Sequence, residues 1–145
     1  MIRSILLVLT LTLTVGCAIR GPQLAASELA PLAELRYPAD APLGADLDMV
    51  VVREGGHIDV ANRTAGSYSN VQLWLNEQWV TVAQRIDIGT DNRFLLSHFV
   101  DQHQRTFPVG GFLTPDRARQ VVHAELFNPE TGQRHRLTVQ MERGK

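Results

Sequence analysis

The rhythm of apolar and polar positions changes at residue 47. Upstream, apolar residues come in blocks, first over Ile5–Thr14 and then in an Ala-, Pro- and Leu-rich stretch over 18–46. Downstream they alternate with polar residues or form short β-branched runs, which is the pattern of strands. Met49–Val52 is one such run, closed by the turn signal Glu54-Gly55-Gly56. His57–Asn62 alternates at period two, and Thr64–Ser67 is loop chemistry. Asn70–Asn76, Gln78–Ala83, Arg85–Ile88 and Arg93–Phe99 read as further strands. Residues 106–118, with Pro108, Gly110, Gly111 and Pro115, are irregular, with one helical turn expected near Thr114–Arg119. Gln120–Phe127 and Gln133–Glu142 are the last two strands, joined at Asn128–Gly132, where Pro129 presets φ and Gly132 accepts a positive φ. About seven or eight short strands with turn signals between them predict an all-β chain. The expected layout is an immunoglobulin-like or fibronectin-III-like antiparallel β-sandwich, without the Cys…Trp…Cys spacing of true immunoglobulin domains.

Parity sharpens one hairpin. Val71, Leu73 and Leu75 share a strand face, with Gln72 and Trp74 on the other. A two-residue turn at Asn76-Glu77 pairs Leu73 with Val80, Val71 with Val82 and Trp74 with Trp79. That register puts the aliphatic face in the core and both tryptophans opposite it. Cross-strand aromatic pairs add about 0.2–1 kcal/mol. Trp74 and Trp79 are therefore the candidate partner-binding face if they are exposed, and a covered patch if the linker or the 106–118 loop lies over them.

The first 17 residues carry a different signal. One positive charge, Arg3, precedes the apolar run, and small Gly16 sits just before Cys17. These are the parts of a secretory signal. The run is too short to span a hydrocarbon core of about 30 Å. The stretch Leu13-Thr14-Val15-Gly16-Cys17 resembles the lipobox of bacterial lipoprotein signal peptides, with Thr14 where that pattern usually has Leu. The resemblance implies cleavage between Gly16 and Cys17 and acylation of Cys17. Ala18, rather than Asp, follows the cysteine, which by the same resemblance implies the outer membrane, on its periplasmic face, rather than the inner one.

Three regions follow: a signal peptide at 1–16, a lipidated terminus and linker at 17–46, and a β domain at 47–145. Pro22, Pro31, Pro38 and Pro42 prevent a long helix in the linker, leaving room for a turn or two within 27–35. Leu24, Leu29, Leu32, Leu35 and Tyr37 are too apolar for a fully solvated linker, so part of it is expected to pack on the domain. The mature domain resembles single-sandwich bacterial lipoproteins.

Composition narrows the function. Apolar residues make up 44% and charged residues 20%, as in ordinary globular proteins. A net charge of −1 without a basic face argues against nucleic acid. A single cysteine excludes an intrachain disulfide.

The chemistry in print is thin. Ser97, His98 and Asp101 suggest a hydrolase trio, but neighbours on a strand point to opposite faces, and no nucleophile elbow is present. His98, Asp101 and His103 form His-x-x-Asp-x-His, the one candidate metal set. His57, His123 and His135 are scattered. Gly110-Gly111 lacks the rest of a phosphate loop, and Asn62-Arg63-Thr64 reads as a turn. Arg134 and Arg136 share an outer face and read as solvated. The expectation is a non-enzymatic, lipid-anchored envelope protein without a cofactor. It would act as an interaction or structural module for an envelope protein or glycan partner. The alternatives are a small-ligand or metal-binding carrier using His98, Asp101 and His103, and an envelope hydrolase whose site is assembled in space.

Overall fold

A computed structural model describes residues 24–110 and 118–140. Among the described residues seven strands form: β1 (Met49–Glu54), β2 (His57–Asn62), β3 (Tyr68–Leu75), β4 (Trp79–Ile86), β5 (Gly89–Leu95), β6 (Ala124–Asn128) and β7 (Gln133–Gln140). A helix, α1 (Ala26–Glu34), precedes them, and a 3-10 turn spans Leu96–His98. All-β is the observed class.

The strands lie in the order β4-β3-β6-β7-β1-β2-β5, as one mixed sheet curled into a half-barrel. The expected all-antiparallel layout is corrected at one place, where β1 and β7 pair in parallel. β7 makes the curl possible by serving two neighbours. Its first half, Gln133–Leu137, pairs with β6, and Thr138–Gln140 pair with β1. The other edge of that first half is taken by the linker. Gly44 N–H donates to the Arg134 carbonyl at 2.8 Å, and Leu47 N–H donates to that of Arg136 at 3.1 Å. The chain from Pro42 onward thus already runs beside β7 before β1 begins.

The core lies inside the curl. Met49 and Val51 from β1, Ile58 and Val60 from β2, Leu73 and Leu75 from β3, and Leu126 from β6 all meet there. Alternation explains the choice, since each skips one position along its strand. Leu96, Phe99, Phe107 and Val121 from the connections complete it.

The β3–β4 register differs from the expected one by one residue. Leu75 pairs with Trp79, so Asn76, Glu77 and Gln78 all lie in the turn. Asn76 and Glu77 both adopt left-handed φ, at 50° and 58°, and Gln78 N–H closes onto the Leu75 carbonyl at 3.1 Å. A one-residue slip moves every side chain of β4 to the other face. Trp79 therefore enters the core, at 3% exposure, edge-on to Phe107 with ring centres 5.0 Å apart. Val82, expected inside, is 42% exposed. Val80 also faces outward, opposite Trp74, yet is buried, because a second small apolar layer forms outside the sheet.

That outer layer is the linker. α1 is nine residues long despite Pro31, opens with the Ala25 N–H donating to Glu28 Oε2 at 2.8 Å, and ends where Leu35 turns extended. Its Ala33 is buried, and α1 contacts β4. Tyr37 lies edge-on to Trp74 at 5.6 Å.

Other boundaries move as well. The segments expected at Gln78–Ala83 and Arg85–Ile88 are one strand, β4. The strand expected over Arg93–Phe99 stops at Leu95, the one expected from Gln120 begins at Ala124, and β7 begins at Gln133 as expected, with 141–142 outside the described residues. The helical turn expected near Thr114–Arg119 falls largely outside the described residues.

Candidate functional site

Cys17 and Gly16 lie outside the described residues. Trp74 and Trp79 are both buried, at 2% and 3% exposure, and sit on opposite faces, so the exposed aromatic face does not form. The Trp74 indole N–H donates to Gln72 Oε1 at 3.0 Å. Trp79 has a guanidinium, that of Arg119, stacked 4.8 Å from its ring centre.

His98, Asp101 and His103 do not converge. His98 ends the 3-10 turn, and His103 is exposed. Asp101 is buried, and its carboxylate organises its own loop. Oδ1 accepts the backbone N–H groups of His103 and Arg105 at 2.9 Å each. Oδ2 accepts the Arg105 guanidinium at 2.7–2.8 Å. Burial pushes this carboxyl up, but the Arg105 side chain and those two amides outweigh it and hold it below its ordinary 3.8. Among the described residues, the one trio with ligand atoms within 4.8 Å of one another is Glu54, His57 and Asp59 instead. Asn62 of the sequon-like triplet is buried and bonded to Gly66, Ile86 and Thr64, which is a turn role.

The strongest polar constellation was not singled out from sequence. On the outer face of β6, Glu125 is buried at 1% exposure, opposite Trp74 on β3 and Arg136 on β7. Its Oε2 accepts the Tyr37 hydroxyl at 2.8 Å. Arg134 donates from NH1 to the Tyr37 oxygen at 2.7 Å and to Glu125 Oε2 at 3.5 Å, and from Nε to the Ala41 carbonyl at 3.0 Å. The solvated arginine pair is therefore corrected for Arg134, which pins the linker. Burial, then the Glu125 hydrogen bond, push the Tyr37 phenol up to about 12. Burial works against the Arg134 charge, but Tyr37 and Glu125 outweigh it and raise its pKa. Only the alternation at 121–127 hinted at this, by placing Glu125 on the outer face; that the linker covers it was not readable.

Beside this cluster opens a groove of about 490 Å³, lined by Asn76, Glu77, Arg119, Gln120, Val122 and His123. Asn76 builds its wall. Its Nδ2 donates to the Gln120 carbonyl at 2.8 Å, and its Oδ1 accepts the N–H groups of Val122 and His123 at 2.9 and 3.1 Å. His123 Nε2 stands 3.1 Å from Glu125 Oε1 and 3.9 Å from Glu77 Oε1, without a hydrogen-bond geometry to either. The groove thus joins a cation, a carboxylate, two amides, an imidazole and the exposed apolar Val122. Among the described lining residues there is no Ser, Thr or Cys to act as a nucleophile.

No family model matches this chain, and no similar curated protein or solved structure was found. Among the described residues, no helix is long and apolar enough to cross a membrane.

Proposed function

We propose that this chain is a lipid-anchored protein of the bacterial cell envelope, held through acyl groups on Cys17, and that its β body is a non-enzymatic interaction or structural module. The observation that carries the proposal is the order Arg3, apolar run, Gly16-Cys17 at the N-terminus, followed by a linker designed to pack. The clamp on that linker fits an anchoring role. With α1 starting at Ala26, only residues 18–25 separate Cys17 from the helix. At about 3.3–3.6 Å per residue they reach at most roughly 30 Å, so the body would stand close to the bilayer. Ala18 favours the outer membrane on its periplasmic side. The two arms of the curled sheet would serve as the layers of an immunoglobulin-like body. The groove around Asn76 and His123 takes over as the partner face from the buried tryptophans, its mixed polar character suiting an envelope protein or glycan.

Two measurements test this reading. Cells fed an alkyne fatty acid should yield the wild-type protein labelled and membrane-associated, whereas Cys17→Ala should be unlabelled and soluble. An unlabelled wild type would overturn the anchor. A photo-cross-linking residue at Val122 should capture a defined envelope component that the same probe at Ile88, on the far β4–β5 turn, does not. Equal capture at both sites would remove the groove from the proposal.

A further inference from the structure

We propose that Glu54, His57 and Asp59 form a binding site for a divalent first-row transition ion, with zinc as its probe, remote in sequence from the groove residues and from His98, Asp101 and His103. Strand register brings the three together. Glu54 pairs with His57 across the β1–β2 hairpin, and Asp59 pairs with Arg93 on β5. Cross-strand partners share a face, as do residues two apart on a strand. All four side chains therefore project from the face opposite Ile58 and Val60, which are in the core.

The spacings suit a shared ion better than a hydrogen bond. His57 Nε2 lies 3.6 Å from Glu54 Oε2 and 3.6 Å from Asp59 Oδ2. Hydrogen bonds from nitrogen to oxygen need about 2.7–3.2 Å. Nitrogen and oxygen ligands bound at about 2.0–2.2 Å and tetrahedral angles stand roughly 3.4 Å apart. Although the His57 side chain as a whole is 22% exposed, its Nε2 is shielded from solvent and has no hydrogen-bond partner. The imidazole nitrogen thus stands between two carboxylates, in ion-pair range of both and beyond hydrogen-bond distance of either.

Arg93 completes the arrangement as a positioning residue. It donates from Nε to Asp59 Oδ1 at 2.9 Å and from NH2 to Oδ2 at 3.1 Å, fixing the carboxylate plane. Each carboxylate oxygen keeps a further lone pair for an ion. Outer partners of this kind orient metal-binding groups. Glu54, with its side chain 55% exposed, is the arm that can swing to admit the ion. One nitrogen and two carboxylate oxygens suit zinc or its first-row neighbours, with water filling the remaining positions.

Zinc titration of the full chain, purified in detergent without a histidine tag, tests the site by calorimetry and by competition with a chromophoric chelator. The wild type should bind one zinc ion per chain. His57→Ala and Asp59→Asn should each weaken binding at least about tenfold, and Arg93→Gln by about 10–100-fold, the usual loss for an outer partner. His103→Ala should bind as the wild type does. Circular dichroism checks that each variant is folded; should one unfold, the imidazole nitrogen shifts of His57 in the zinc-loaded wild type, read by NMR, decide instead. No zinc binding by the wild type, unchanged binding in His57→Ala, loss in His103→Ala, or unshifted His57 nitrogens would each overturn the site.

Discussion

Tyr37 ties the linker to the outer face of the sheet through three contacts. Its ring covers Trp74, its hydroxyl donates to buried Glu125, and its oxygen accepts from Arg134. Removing that oxygen leaves Glu125 Oε2 with one long contact, at 3.5 Å. Tyr37→Phe should therefore cost about 1–3 kcal/mol at pH 7, as loss of a hydrogen bond to a buried carboxylate does. The phenol also gives a pH signature. Its pKa rises from 10.0 unfolded to about 12 folded, so its contribution is whole below pH 10 and is lost as the pH climbs through 12. Denaturant midpoints measured across that window should fall for the wild type and stay flatter for Tyr37→Phe. Parallel curves would remove the assigned role. The visible signal in the sequence was only that Tyr37 belonged to a linker too apolar to be solvated.

At the scale of elements, the β3–β4 turn decides which side chains reach the core. Asn76 does two jobs there: it adopts φ 50°, and its amide ties residues 120–123 to the hairpin. Asn76→Ala should cost about 2–4 kcal/mol, combining lost hydrogen bonds with left-handed backbone strain. Asn76→Gly should recover about 1 kcal/mol of that, because glycine relieves the strain but restores no bond. Urea unfolding of the two variants separates these effects, and equal midpoints would show that strain plays no part. The turn was foreseen at the right residues, yet its register was one residue off. Two-residue and three-residue turns at Asn76 are equally open to a reading of pattern alone. Val80, Val82, Trp74 and Trp79 are all apolar, and the one polar residue that favoured the expected register, Thr81, is buried opposite Leu73 in the observed one.

The whole molecule is a curled sheet with a core inside and a strap outside. Tyr37 covers Trp74 and bonds buried Glu125 on the outer face, and α1 packs beside β4 with its Ala33 buried. Deleting residues 24–41 while keeping the strand-like stretch from Pro42 should leave the inner core intact and uncover Trp74. The expected result is a red-shifted tryptophan emission and a loss of about 2–4 kcal/mol, the scale of uncovering one or two aromatic side chains. An unchanged emission maximum would show that the strap does not shield Trp74. Gly44 marks the crossing where the strap joins β7. A Cβ there would collide with the His135 ring, which itself holds the Ala45 carbonyl at 2.8 Å.

The all-β class and the approximate position of most strands were legible in the sequence, because each rests on local alternation and on turn chemistry at Gly55-Gly56, Asn76 and Asn128–Gly132. The parity of Val71, Leu73 and Leu75 was legible for the same reason. The parallel β1–β7 pair, the inward turn of Trp79, the burial of Glu125 and the meeting of Glu54, His57, Asp59 and Arg93 were decided by tertiary structure. Each depends on which distant strands become neighbours and on how a turn sets register by a single residue. Local periodicity carries neither quantity, because the free energy that selects between registers comes from packing across the whole core.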